Sequence, residues 1–200
     1  MAVLSALVDD VTQRATLMAL LAAAREMLTA APAADPVPAI GRALLAVTGA
    51  PRAAVLFRSP TGFVTCPWFH NLSDVYVQGL RTPDGVNPWM HIMRHPELRC
   101  MDLPKGRTST LEPALVRDVR EWPSATAHLL DRTQREGLCA ICSWPLSRAG
   151  RVIGAVACYY DEPHVCSAPE QEVVREFALH ASALIGHRIA ALVLNTTGAK

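Results

Sequence analysis

Six cysteines and seven histidines supply most of the reactive side chains in this 200-residue chain. Cys139 and Cys142 spell C-x-x-C, a spacing used elsewhere for zinc binding or thiol redox chemistry. The residues around them read as a β-strand, however, and side chains three apart on a strand point to opposite faces. A shared metal or a disulfide would need a bulge between them. The sequence has no second C-x-x-C to complete a zinc site, so core packing of reduced thiols is the plainer expectation. Cys66 and Cys158 also fall on predicted strands and belong in the core. Cys100 and Cys166 fall in predicted loops, and none of these four shows ligand spacing. Arg94, His95 and Arg99 neighbour Cys100 and would lower its pKa if they faced the sulfur. A redox role would therefore fall to Cys100 or Cys139.

Four histidines, His70, His91, His95 and His128, lie in or beside an irregular middle stretch. Each has the chemistry of an axial haem ligand. The plainer reading of each is a surface or hydrogen-bonded histidine. His180 and His187 stand seven apart, off an apolar stripe, and are expected at solvent or at a dimer seam. Four of the eleven aromatic residues are tryptophans: Trp68, Trp89, Trp122 and Trp144. Such residues either wall a small-molecule pocket with flat apolar surface or fill that pocket as core. No Ser-His-Asp arrangement, Gly-x-Ser-x-Gly elbow or phosphate-cradling glycine loop is found.

The elements that must position these residues follow from periodicity. Residues 10–30 read as a helix, with Leu17, Leu20, Leu21, Ala24 and Leu28 at helical spacing. Prolines in Ala31–Pro38 break it, and a short helix follows over Ala39–Val47. Strands are expected at Ala53–Arg58 and Gly62–Trp68, joined by Ser59-Pro60-Thr61-Gly62. Ser73 caps a short helix to Leu80. Ala114–Val119 reads as a strand and Pro123–Glu136 as a helix ended by Gly137. Leu138–Leu146 and Arg151–Tyr160 form a hairpin through Ser147-Arg148-Ala149-Gly150. Ser167 and Glu170 make a capping box at the head of a long helix over 167–194. Its stripe runs through Val173, Val174, Phe177, Ala181, Leu184, Ile185, Ile189 and Leu192. This order is an α+β domain with an antiparallel sheet and helices at both ends.

Composition agrees. Half the residues are hydrophobic and 18% are charged, enough for a core and unlike a disordered chain. A net charge of +1 gives no support to nucleic-acid binding or a polybasic membrane anchor. Asp9 and Asp10 interrupt the first apolar stretch, which lacks a basic lead, so neither a signal peptide nor a transmembrane helix is expected. A cytoplasmic location with reduced cysteines follows as the expectation.

The C-terminal third carries a resemblance. Gly137-Leu138-Cys139-Ala140-Ile141-Cys142-Ser143-Trp144-Pro145-Leu146 precedes Gly150-Arg151-Val152-Ile153-Gly154, and Ser167-Ala168-Pro169-Glu170 opens an apolar helix. This set resembles the GAF domain family over about 60 residues. Val116-Arg117-Asp118-Val119 before Trp122-Pro123 is similar to the stretch that leads into the motif. Leu98–Leu115 looks like added loop sequence, and Val86-Asn87-Pro88-Trp89 replaces the family's run of small residues.

The resemblance implies about six antiparallel strands, with the N- and C-terminal helices packed on one face and a ligand pocket under irregular segments on the other. It implies a single domain over 1–200, with sheet and covering segments in 39–160. It also implies a cytoplasmic sensor that binds a small molecule and signals through the terminal helices of a homodimer, to an output domain or a partner protein. The residues expected to line the pocket are Trp68, His70, Trp89, Trp122, His128, Cys142 and Trp144. Strand register decides whether Cys142 or Ile141 points inward. Bilin-binding members take their linking cysteine from the region of His128. No cysteine stands there, so a covalent bilin is not expected. Three alternatives stay open: a sensor with non-covalent haem, a thiol-dependent enzyme of the free methionine sulfoxide reductase type, and a ligand-free dimerisation module.

Overall fold

Asp35 opens the first helix, α1 (Pro36–Thr48), by accepting a hydrogen bond from the Val37 N–H at 3.3 Å. In the computed structural model the described residues are 18, 22, 35–58, 64–80, 113–122 and 127–197, without the side chains of 127–129 and 186–197. The helix expected over 10–30 lies outside them except for Met18 and Ala22, which are helical and exposed. α1 starts three residues before the expected Ala39. Proline is tolerated in a first turn, where its missing N–H has no intrahelical partner, so Pro36 and Pro38 start this helix rather than exclude it. Gly49 ends it at φ 62°, donating its N–H to the Leu45 carbonyl at 2.8 Å.

The strands are β1 (Arg52–Arg58), β2 (Val64–His70), β3 (Ala114–Val116), β4 (Ala140–Arg148) and β5 (Arg151–Tyr160). Among the described residues they form one five-stranded antiparallel sheet in the order β2-β1-β5-β4-β3. The remaining helices are α2 (Asp74–Leu80), α3 (Ala127–Glu136) and α4 (Ala168–Thr197), and Val119–Glu121 makes a 3-10 turn. β3 is shorter than the expected Ala114–Val119. Asp118 ends it by accepting from the Arg120 N–H at 2.9 Å, which starts the 3-10 turn. The β4–β5 hairpin turns at Ala149 and Gly150, with φ of 48° and 74°, the pair of positive values a two-residue type I′ turn requires.

Alternation along the strands divides the core in two. Ala53, Val55, Ala140, Cys142, Trp144, Leu146, Val156 and Cys158 face α1 and α4 and pack against Ile40, Leu44, Val174 and Phe177. Ala54, Leu56, Ala155, Ala157 and Tyr159 face the other way, against Tyr76, Val77 and Leu80 of α2. A bulge in β2 changes its facing partway. Val55 pairs with Trp68 but Phe57 pairs with Thr65, so Cys66 faces α2 while Trp68 faces α1. The Trp68 ring lies so close over Gly41 that any Cβ there would overlap it.

The long helix is capped at its head and bonded to the sheet further along. Ser167 and Glu170 form the expected capping box: the Glu170 N–H donates to Ser167 Oγ and the Ser167 N–H to Glu170 Oε2. Further along, Ser182 Oγ accepts from the Ser147 N–H at 3.0 Å and donates to the Ala178 carbonyl at 2.6 Å.

Candidate functional site

The face carrying α2 is floored by small side chains. Ala54, Ala155 and Ala157 lie across neighbouring strands, with Leu56 and Ile141 beside them. Tyr76 and Tyr159 meet edge to face at 5.7 Å, and burial holds both phenols well above their ordinary pKa. The Arg132 guanidinium lies 5.3 Å from the Tyr76 ring. It donates to the carbonyls of Gly79 at 2.6 Å and Tyr76 at 3.0 Å, at the C-terminal end of α2 where a cation is favoured. At the other end, the Glu136 carboxylate accepts from the Ser73 N–H at 2.7 Å, and Ser73 Oγ accepts from the Tyr76 N–H at 3.1 Å. Two charged side chains of α3 thus hold α2 over the sheet.

The expected pocket residues separate. Trp122 is buried with Ala114, Val116 and Val119 at the β3 edge, against Ile141 on this same α2 side. Trp89 lies outside the described residues, as do His91, His95 and Cys100. His128 is placed only as a backbone position in α3. Trp68, Cys142 and Trp144 belong to the core between the sheet and α1 and α4, on the face opposite the one expected. His70 stacks on Trp68 at 6.4 Å and is exposed. Register therefore turns Ile141 toward α2 and Cys142 toward α4. His180 is exposed, in keeping with a solvent or seam position.

A second constellation lies at that α1–α4 face. Cys142 and Cys158 are cross-strand partners on β4 and β5, and Cys166 reaches the same core from the segment ahead of α4. The candidate ligand atoms of Cys142, His164 and Cys166 all lie within 4.8 Å of one another. The Cys142 thiol pKa is raised, first by its hydrogen bond with Cys166 and then by burial. Burial pushes the Cys158 thiol up to about 12. His164 stacks on Tyr160 with ring centroids 3.8 Å apart, and its Nε2 lies 3.1 Å from Glu170 Oε1. The Tyr160 hydroxyl donates to the same oxygen at 3.3 Å. A backbone bond from the His164 N–H to the Arg117 carbonyl and a side-chain bond from Gln171 Nε2 to the Cys166 carbonyl fix the segment between β5 and α4. An open cleft of about 360 Å³ adjoins it, lined by Pro51, Tyr160, Asp161, Glu162, Pro163 and His164. Sequence spacing did not single out His164. The only local signal is His164-Val165-Cys166, and its third member stands 22 residues earlier in the chain, on β4.

Residues 37–185 match the model of the GAF domain. The chain belongs to the GAF domain family. This is a sensory family, found in kinases and phytochromes. Solved structures agree with the fold. A domain from Sinorhizobium meliloti 1021, assigned to a two-component sensor histidine kinase, is similar with TM-score 0.62 and 22% identity, covering 79% of this chain and 94% of that one. The GAF domain of a phosphoenolpyruvate-protein phosphotransferase from Coxiella burnetii has TM-score 0.70 and 16% identity, covering 90% and 98%. The chromophore-binding domain of a bacteriophytochrome from R. palustris has TM-score 0.64 and 14% identity, covering 88% and 61%. No curated protein matches the chain. Among the described residues of this GAF domain, no helix is long and apolar enough to cross a membrane.

Proposed function

We propose that the whole chain, residues 1–200, acts as one sensory GAF module that binds a small molecule over the α2-bearing face of the sheet. The observation that carries this reading is the floor of Ala54, Ala155 and Ala157 beside large, polar-tipped Tyr76 and Tyr159. Ala54, Ala155 and Ala157 are buried beneath Tyr76 and Tyr159, so a ligand would find room over small side chains where this aromatic cover yields, and the tyrosine hydroxyls are the oriented polar groups it would meet. Trp122 borders this face. The aliphatic and aromatic surroundings suit a flat, mostly apolar ligand.

The signal leaves through α4 and its N-terminal counterpart, which pair two protomers and lead to an output domain or partner protein. α4 supports this with Leu179, a large apolar side chain left 53% exposed midway along a 30-residue helix. Native mass spectrometry of the purified protein tests the ligand. We expect a bound small-molecule mass that is absent from Ala157→Phe, whose ring would occupy the floor, while circular dichroism remains that of a folded domain. Retention of the same ligand by a folded Ala157→Phe variant moves the site elsewhere. A parent protein that carries no bound mass, and whose thermal midpoint no member of a metabolite library raises, overturns the sensor reading.

A further inference from the structure

We propose that Cys142, His164 and Cys166 form a site for a zinc-like divalent ion, joining β4 to the segment that enters α4. The donor set is two sulfurs and one imidazole, the composition that zinc takes in tetrahedral sites. Two thiolates at Zn–S distances of about 2.3 Å stand about 3.8 Å apart in a tetrahedron. The three ligand atoms already lie within 4.8 Å of one another, at most about 1 Å beyond that spacing.

Three further features make this a built site rather than a chance cluster. First, His164 Nε2 is already engaged by Glu170, which leaves Nδ1 for the ion. A carboxylate on the distal nitrogen fixes the tautomer and orientation of a ligating histidine. Second, that carboxylate is itself held, by the Tyr160 hydroxyl and by the Ser167 N–H of the capping box. Third, His164 and Tyr160 also line the open cleft beside the cluster, which gives an ion its route in and an external fourth ligand its place. Cys158, the cross-strand neighbour of Cys142, donates its S–H to Thr48 Oγ1 at 3.6 Å and stays outside the set. On binding, each of the two thiols gives its proton to solvent as its sulfur bonds the metal.

The site is distinct from the ligand face: Cys142 lies on the α1–α4 side of the sheet, so this proposal stands or falls without the small-molecule reading. Cobalt(II) titration of the chelator-stripped, reduced full-length protein tests it. One equivalent is expected to give the thiolate-to-cobalt charge-transfer absorption and the intense d–d bands of a tetrahedral site, displaced by one equivalent of zinc. Cys166→Ser and His164→Ala should each lose the tetrahedral spectrum, and Glu170→Gln should weaken affinity by about 10- to 100-fold. Cys66→Ala, altered on the opposite face, should bind as the parent does. His164 is only half-buried, so His164→Ala is a variant expected to keep the fold, checked by circular dichroism. Absence of thiolate–cobalt absorption in the folded parent overturns the proposal. So does a spectrum unchanged in His164→Ala, or one lost in Cys66→Ala.

Discussion

Cys158 shows what burial does to one titratable group. Its thiol is fully enclosed between the sheet and α1, and burial holds its pKa at about 12 rather than 9.0. The unfolded chain therefore loses this proton first. Between about pH 9 and pH 12 ionisation favours the unfolded state, so stability falls as pH rises through that window. Urea unfolding at stepped alkaline pH should show this fall, with a shallower slope from pH 9 to 10 in Cys158→Ala. Equal slopes for parent and variant would assign the loss to other groups. That Cys158 is core was legible from its strand, a continuous apolar run that the sheet buries on both faces. The approach of His164 to Cys142 was not legible. It depends on the path of the chain from β5 into α4, which no local spacing encodes.

At the scale of elements, local chemistry was the most readable part. The capping box at Ser167 and Glu170, the cap at Ser73 and the β4–β5 hairpin all form where side-chain type and spacing placed them. The hairpin carries one residue that fits its turn poorly. Ala149 holds φ 48°, a conformation that costs an L-residue other than Gly, Asn or Asp about 1 kcal/mol. Ala149→Asn should therefore stabilise the domain by about 0.5–1 kcal/mol, read as a higher denaturant midpoint at unchanged slope. A lower midpoint would show that Ala149 has contacts worth more than its strain. The facing of Trp68 was less readable. The bulge that pairs Val55 with Trp68 and Phe57 with Thr65 shifts the alternation inside β2, and Pro67, which lies at it, marks an edge strand as readily as a bulge and so does not fix the facing. Cys142 and Trp144 went to the α1–α4 side for a related reason: a one-residue choice of register turns a whole strand over.

For the whole molecule, the α+β order and the two helical ends could be read directly, because long periodic segments declare themselves. α4 has 30 residues, about 45 Å of helix, against nine residues or about 30 Å of β4 beneath it. A helix that outruns its sheet needs another surface, and exposed Leu179 lies on its outer side. Leu179→Glu is expected to convert a dimer to a monomer in light scattering while leaving the circular dichroism spectrum unchanged. A parent that is monomeric at tens of micromolar would end the pairing proposal. The bond from the Ser147 N–H to Ser182 Oγ has a mechanical meaning for such a helix. It pins α4 to β4 at one point, and the packing of Cys166 beside Cys142 pins the entry to the helix roughly 20 Å away. Sliding α4 by one turn would break the part-buried Ser147–Ser182 bond at a cost of about 1 kcal/mol. A piston stroke along the helix axis is thus opposed at both fastenings. What remains is the stretch of α4 from 183 to 197, which extends past the second fastening and can swing about it, and a message carried by α4 would be read there as a change of angle.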